Sequence, residues 1–163
     1  LDELKEALAA YVSRGAEKLR NQECLASCIT VFLTTNRFKK HERQYSNGMT
    51  LELPSATAYT PALIHYGRIA LDRIYLQGYK YKKVGIMLSG IVPQGNAQLN
   101  LFNEFQETEK MHRIMKTMDR INKTMGRGAI HYAAEGISKA WSMRREFLSP
   151  RYTTHWDEIL VAK

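Results

Sequence analysis

Apolar positions in the first part of the chain alternate between helical and strand-like spacing. Over residues 4–19 they recur at three- and four-residue steps, which predicts an amphipathic helix. Residues 26–35 carry β-branched and aromatic side chains on both faces, a composition typical of a central strand. A polar connection at 37–43 and an apolar segment at 49–53 follow. The pattern therefore predicts a wide hairpin packed against a helix.

A second helix and a third strand follow the hairpin. Thr60 and Pro61 are typical of a helix start, because the hydroxyl can cap the helix and proline needs no hydrogen bond in the first turn. We expect Gly78 to end this helix in the left-handed conformation and residues 83–92 to form a strand. The order helix, strand, strand, helix, strand predicts an α+β fold, in which two helices back one face of an antiparallel sheet.

The pattern changes after residue 92. Turn-forming residues without periodicity follow at 93–97, as expected of a linker. Apolar residues at helical spacing then predict a helix that ends at Gly126, and we expect a short strand at 129–134 and another helix at 135–147. The predicted organisation is a first domain at 1–92, a linker at 93–103 and a mainly helical C-terminal extension at 104–163.

The predicted helix before Gly126 is rich in methionine. Methionine stripes can line adaptable binding grooves, but apolar side chains at helical spacing are also typical of a protein core, and we favour the core interpretation. The stripe consists of Met111, Ile114, Met118, Ile121 and Met125.

Composition narrows the class of protein. With 163 residues, 44% of them apolar, the chain is expected to form one globular domain or two small ones. No stretch approaches the roughly 20 consecutive apolar residues of a membrane span, and the N-terminal residues do not resemble a signal peptide, so we expect a cytoplasmic protein. Cys24 and Cys28 are expected to be reduced thiols in the core.

Basic side chains exceed acidic ones, 24 to 16, which gives a net charge of +8 and suggests a polyanionic partner. Many of them fall in the hairpin loop and at the start of the third predicted strand. In an antiparallel sheet these two groups could share one edge or face and bind phosphates with little sequence preference. A solvated hairpin tip is the alternative, and Phe38 and Tyr45 could stack on bases or anchor packing. The candidate phosphate-binding residues are Arg37, Lys39, Lys40, Arg43, Lys80, Lys82 and Lys83.

A short apolar motif follows the predicted linker. In an extended peptide, Leu99 and Leu101 lie on one side, and Leu101 with Phe102 forms an apolar tip behind the polar Gln98. Linear docking peptides combine an apolar anchor pair with a polar residue in this way. A fourth strand or the lead-in to the next helix is the alternative. The motif consists of Gln98, Leu99, Asn100, Leu101 and Phe102.

The chain lacks the sequence patterns of common catalytic sites. Its histidines are scattered, and it contains no glycine-rich phosphate-binding loop or nucleophile elbow. We therefore expect no catalytic residue, no bound metal and no cofactor, and a hydrolase would require paired ionisable groups that the sequence does not offer.

Four short segments, distributed along almost the whole chain, resemble the C-terminal part of the UmuC family. UmuC proteins are the polymerase subunits of bacterial DNA polymerase V and belong to the Y-family translesion polymerases of the SOS response. The segments are 11–20 (YVSRGAEKLR), 71–75 with 78–88 (LDRIY and GYKYKKVGIML), the motif at 98–102, and 148–154 (LSPRYTT).

The resemblance implies that the first domain is of the little finger type, a four-stranded sheet backed by two helices. This domain lies in the DNA major groove and holds the duplex largely through phosphates. The family's first strand would precede residue 1 and is expected to be missing, and the catalytic carboxylates would also lie upstream. The motif at 98–102 falls where the family engages the β sliding clamp. The C-terminal segment resembles one through which UmuC contacts UmuD′ and RecA.

The expected function is therefore that of a non-catalytic C-terminal region of an error-prone translesion polymerase, active in DNA repair and SOS mutagenesis. It would bind duplex DNA and the clamp. A protein interaction module is the alternative, in which the methionine-rich helix and C-terminal tail bind an acidic partner.

Overall fold

A computed structural model describes residues 1–96, 109–137, 141, 147 and 149–159. The first five elements follow the predicted order, and the extension contains a third α-helix and short 3-10 helices. The elements are α1 (Asp2–Asn21), β1 (Cys24–Thr35), β2 (Ser46–Thr57), α2 (Thr60–Ile74), β3 (Tyr81–Pro93), a 3-10 helix (Gln94–Asn96), α3 (Glu109–Met125) and two more 3-10 helices (Ala133–Glu135 and Trp156–Glu158).

The described strands form an antiparallel sheet in the order β2-β1-β3, which confirms β1 as a central strand. Alternate side chains of β1, from Ile29 through Val31 to Leu33, are fully buried, as the two-residue period of a strand requires. Val31 pairs with Met49 on one side and with Ile86 on the other. The register therefore directs one face of all three strands into a common core.

Both helices of the first domain pack on that face, as predicted. Leu8 of α1 and Leu63 of α2 are fully buried in the same apolar cluster as Ile29. Where α1 crosses β3, a Cβ atom added at Gly15 would lie 3.0 Å from Leu88. The opposite side of the sheet, which we call the open face, carries Thr30, Phe32, Thr34, Glu52, Lys83, Gly85 and Met87, and Met87 is 56% exposed.

The ends of α2 differ from the prediction. Tyr59 precedes the helix in an extended conformation, and Thr60 is its first residue rather than its cap. The buried Thr60 hydroxyl instead accepts a hydrogen bond from Arg20 Nη1 at 2.8 Å. The helix ends at Ile74, and Gly78, with φ +90°, lies in the turn that follows.

Helix α3 confirms the periodicity predicted before Gly126, whose φ is +103°. Of the 17 described residues of this helix, Met115 is the one that is buried. Ile114 and Met125 are 45% and 75% exposed, so the core interpretation of the predicted stripe is wrong at those two positions. The side of α3 that packs is centred instead on Met115 and Asp119, because Asp119 pairs with Arg20 of α1.

The strand predicted at 129–134 is wrong. The Asn122 side chain bonds both backbone groups of Ile130, at 2.9 Å each, and so takes the place of a neighbouring strand. Ala133–Glu135 forms a 3-10 helix. The helix predicted at 135–147 lies largely outside the described residues, and Gly136, just after its predicted start, has φ +71°.

Cys24 and Cys28 are free thiols in β1, as expected, but both are half-buried rather than enclosed in the core. Their position at the end and on the open face of β1 accounts for this partial exposure. None of the helices in the described part of the chain has the length and apolar character needed to cross a membrane.

Candidate nucleic-acid interface

The sheet register brings the two predicted groups of basic residues together. Thr34, near the end of β1, pairs with Ser46 at the start of β2 and with Lys83 at the start of β3. The loop at 36–45 therefore lies at the same end of the sheet as the start of β3, as the antiparallel arrangement predicts. We call this the basic end. Its exposed basic side chains are Arg37, Lys39, Lys40, Arg43, Lys80, Lys82 and Lys83.

Gln44 organises the loop at the basic end. Its side-chain amide nitrogen lies within hydrogen-bond distance of the carbonyl oxygens of Asn36, Lys39 and Glu42, at 3.2, 3.0 and 3.1 Å. Its side-chain oxygen accepts a hydrogen bond from the Thr35 hydroxyl at 3.0 Å. These contacts give the loop backbone a defined path. This role of Gln44 was not predicted from the sequence.

A cluster of tyrosines anchors the loop to the rest of the domain. Tyr45 donates a hydrogen bond to the Ile74 carbonyl at 2.7 Å, and its ring centroid lies 5.0 Å from that of Tyr79 and 6.0 Å from that of Tyr81. Burial raises the pKa of Tyr81, whose hydroxyl donates to the Leu76 carbonyl at 2.9 Å. Tyr45 is therefore a packing anchor.

Phe38, the other aromatic side chain of the predicted interface, is 95% exposed at the tip of the loop. It lies among the loop lysines, and its ring has the free surface needed to stack on a base.

Glu42 joins the loop to the start of β3. Its Oε1 atom lies 3.4 Å from Lys39 Nζ and 3.2 Å from Lys80 Nζ. The hydrogen bond from Lys80 lowers the pKa of the Glu42 carboxyl, partial desolvation opposes this effect, and Lys39 adds to it. Glu42 was not predicted from the sequence. Its three-residue spacing from Lys39 is the signal that could have suggested the Lys39–Glu42 pair.

Lys83 lies on the open face, where its Nζ atom is 5.6 Å from the centroid of the Phe32 ring. The same ring covers Gly85, because a Cβ atom added at Gly85 would lie 2.2 Å from Phe32 Cζ. The Phe32 ring thus packs against the backbone at Gly85, and it also forms a cation–π pair with the Lys83 ammonium group. The role of Gly85 could not be read from the sequence, because it depends on which residues the register places opposite each other.

Several cations of the basic end have no anionic partner in the described part of the chain. Among the described residues, no carboxylate lies within 4.0 Å of Arg37, Lys40, Arg43 or Lys82. Unpaired exposed cations concentrated at one end of a sheet favour contact with a polyanion.

The docking motif, Gln98, Leu99, Asn100, Leu101 and Phe102, lies outside the described residues. Within the described ranges, no group of three or more histidine, cysteine, aspartate or glutamate side chains is placed to hold a metal ion.

A cleft of about 570 Å³ separates α1 from α3 and the residues that follow it. The bidentate contact of Arg20 with Asp119, at 2.6 and 2.7 Å, lies at its edge. Ser13 Oγ and Trp141 Nε1 are buried in its wall, and neither has a hydrogen-bond partner among the residues that the structure describes. The extension is thus joined to the first domain through this ion pair and through apolar contacts of Tyr132, Ala134 and Trp141 with its core.

Comparison with known proteins identifies relatives over nearly the whole chain. The profile of the impB/mucB/samB family C-terminal domain matches residues 1–101, and a profile described as a domain of unknown function matches residues 112–162. The chain is 35% identical over 162 residues to the protein UmuC of Salmonella typhimurium strain LT2. It is 40% identical over 160 residues to the protein SamB and 36% identical over 162 residues to the protein ImpB, both of Salmonella typhimurium.

These matches cover 98–99% of this chain but 38% of each relative, so the chain spans 38% of the length of these proteins. They confirm the resemblance found in the sequence segments, and the three-stranded sheet with its helices is consistent with a little finger fold and an extension. The chain therefore belongs to the impB/mucB/samB family and is a UmuC-like C-terminal region.

Proposed function

We propose that this region holds duplex DNA for an error-prone translesion polymerase and contributes no catalytic group itself. The observation that carries the proposal is the convergence of the loop and β3 cations at the basic end, where several of them have no carboxylate partner within the described ranges. Phosphates along the duplex would bind these cations, while the open face, with Lys83 over Phe32, would approach the groove. The polymerase activity and the catalytic carboxylates belong to the rest of the protein.

Charge reversal tests the DNA half of the proposal. Replacing Lys39, Lys40, Lys82 and Lys83 with glutamate should weaken duplex binding by about a hundredfold or more at low salt. Each lost phosphate contact should also remove about 0.9 from the slope of log K against log salt concentration. Fluorescence anisotropy with a labelled duplex measures both quantities.

A matched control reverses four exposed cations on the helices, Arg14, Lys18, Arg68 and Arg73. It makes the same change in net charge on the other side of the domain, and we expect it to weaken binding far less. Equal losses in the two variants, or no salt-dependent binding by the parent protein, would reject the interface.

We further propose that residues 98–102 dock on the β sliding clamp. A five-residue peptide buries little surface, so its binding would be weak alone, and linkage to a DNA-holding domain would raise the effective concentration. Replacing Leu101 and Phe102 with alanine should abolish binding to purified clamp in a titration and leave the circular dichroism spectrum unchanged. Asn100→Ala, at the motif's tolerant third position, should retain binding. Unchanged affinity of the double variant would disprove this half.

Contacts with UmuD′ and RecA are proposed for the C-terminal segment. Support comes from its exposed aromatic side chains, since Trp156 is 88% exposed and Tyr152 46% exposed, and such residues often anchor protein interfaces. Trp156→Ala should reduce the capture of purified UmuD′ or RecA by the whole protein, whereas unreduced capture of both partners would contradict the assignment.

A further inference from the structure

Two lysines from separate parts of the chain converge on a single oxygen atom of Glu42. Lys39 lies three residues earlier in the loop, whereas Lys80 lies 38 residues later, at the start of β3. Their ammonium groups are 3.4 and 3.2 Å from Glu42 Oε1, and the two lysine side chains are 59% and 80% exposed. An anion from solution can therefore reach both ammonium groups without any rearrangement of the fold.

We infer that Glu42 occupies a phosphodiester-binding subsite between Lys39 and Lys80, and that a backbone phosphate displaces its carboxylate when DNA binds. The inference rests on the proposed function of the basic end. A carboxylate oxygen shared by two ammonium groups has the same charge and donor arrangement as a non-bridging phosphate oxygen held by two lysines. Glu42 thus acts as an internal competitor that lowers the affinity of this end for any polyanion.

The surrounding contacts allow this exchange without disturbing the loop. The Glu42 backbone is held independently of its side chain, because its N–H donates to the Lys39 carbonyl at 3.0 Å and its carbonyl accepts from Gln44 at 3.1 Å. The packed rings of Tyr79 and Tyr81 flank Lys80 and hold its backbone in place. Rotation of the Glu42 side chain alone would therefore clear the subsite while both lysines remain in position.

The test is Glu42→Gln, which keeps the size of the side chain and removes its charge. Duplex affinity in low salt should rise by about three- to fivefold, the scale of an exposed ion pair. The matched control is Glu23→Gln, an identical change at an exposed position just before β1, at the end of the sheet opposite the basic end, with no basic partner within ion-pair distance among the described residues. It should raise affinity by no more than about 1.5-fold, because charges at a distance are screened by salt.

Lys80→Gln, made in the parent protein and in the Glu42→Gln variant, completes a double-mutant cycle. The gain from Glu42→Gln should become clearly smaller when Lys80 is replaced, because Lys39 is then the one ammonium group of the subsite that the change sets free. Unchanged side-chain amide signals of Gln44 in NMR spectra of Glu42→Gln would show that the loop is intact.

The outcomes separate this inference from the proposed function. Equal gains at positions 42 and 23, or a gain that Lys80→Gln leaves undiminished, would overturn the subsite while leaving the DNA interface standing. Loss of affinity on Glu42→Gln with an intact loop would overturn it as well. A parent protein without salt-dependent DNA binding would reject both.

Discussion

At the scale of single residues, the Phe32 ring fills the space that a side chain at position 85 would need. Phe32 pairs with Gly85 on one neighbouring strand and with Gly48 on the other. The ring lies flat enough over Gly85 that an added Cβ atom would come within 2.8 Å of several ring carbons. Glycine at position 85 thus allows one aromatic ring to support Lys83 on the open face.

Gly85→Ala should lower the free energy of unfolding by about 1–3 kcal/mol, because the added methyl group forces the Phe32 ring out of place. Chemical denaturation measures the change. Gly95→Ala is the matched control, since no atom of the described residues lies within 4 Å of a Cβ atom added there, and it should leave stability nearly unchanged. The effect at Gly85 should also vanish in a Phe32→Ala background, and a loss that persists there would refute the proposed contact.

A second prediction at this scale concerns Glu158, whose Oε1 atom accepts a hydrogen bond from Arg151 Nε at 3.0 Å. Side-chain and backbone hydrogen bonds from Arg151 lower the pKa of Glu158 from 4.5 to about 2. The pKa of the Glu158 carboxyl is 4.5 in the unfolded chain, so the ion pair contributes its full stabilisation above pH 4.5. This stabilisation is lost as the pH falls towards 2.

An NMR titration of the Glu158 carboxyl carbon should have its midpoint near 2. Arg151→Gln should move the midpoint up towards 4.5, because the charged donor is lost. A parent midpoint above 4 would show that the pair does not form in solution.

At the scale of elements, a largely buried ion pair attaches α3 to the first domain. Arg20 binds both carboxylate oxygens of Asp119 and also donates to the Ala58 carbonyl and the Thr60 hydroxyl, at 2.7 and 2.8 Å. The Arg20 and Asp119 side chains are only 11% and 19% exposed. One guanidinium thus joins α1, the start of α2 and α3.

Asp119→Ala should destabilise the protein by about 3 kcal/mol, because it leaves a largely buried guanidinium without its counter-charge. Asp72→Ala provides the control, since Asp72 pairs with Lys5 at 3.0 Å but is half-exposed, and it should cost less than about 1 kcal/mol. Thermal and chemical denaturation of both variants make the comparison. Similar losses would mean that the Asp119 pair is no more important than an ordinary surface contact.

At the scale of the whole molecule, burial is concentrated in the first domain. Fully buried side chains from α1, β1 and α2 meet in one cluster, whereas α3 contributes Met115 as its buried residue within the described range. Regions with few buried apolar contacts open more readily than the core around them. The extension is therefore expected to open before the sheet does.

Native-state hydrogen exchange should show this order. Amides of Ile29, Val31 and Leu33 should exchange most slowly, and those of Glu109–Met125 at least tenfold faster, since their opening exposes less apolar surface. Asp119→Ala should accelerate exchange in α3 more than in β1. Equal protection of the two elements would indicate that the chain unfolds as one unit.

The sequence by itself determined the features that depend on neighbours along the chain. The spacing of apolar residues was sufficient to predict the helices, the central strand and the antiparallel hairpin. An element that packs on a core needs apolar side chains at the repeat of its own secondary structure, so that they lie on one side. The clustering of the loop and β3 cations could also be predicted, since a hairpin loop and a neighbouring strand start share an end of an antiparallel sheet. The docking motif at 98–102 stays a prediction from the sequence.

Only the tertiary structure decided which residues meet across the fold. Arg20 reaches Thr60 and Asp119, Glu42 reaches Lys80, and the Phe32 ring covers Gly85, although each pair is far apart in the sequence. Asn122 likewise took the hydrogen bonds that the predicted strand at 129–134 would have needed. Such contacts depend on strand register and helix packing. The pattern of side chains along the chain determines which face of an element is buried, but it does not determine which residues of another element that face meets.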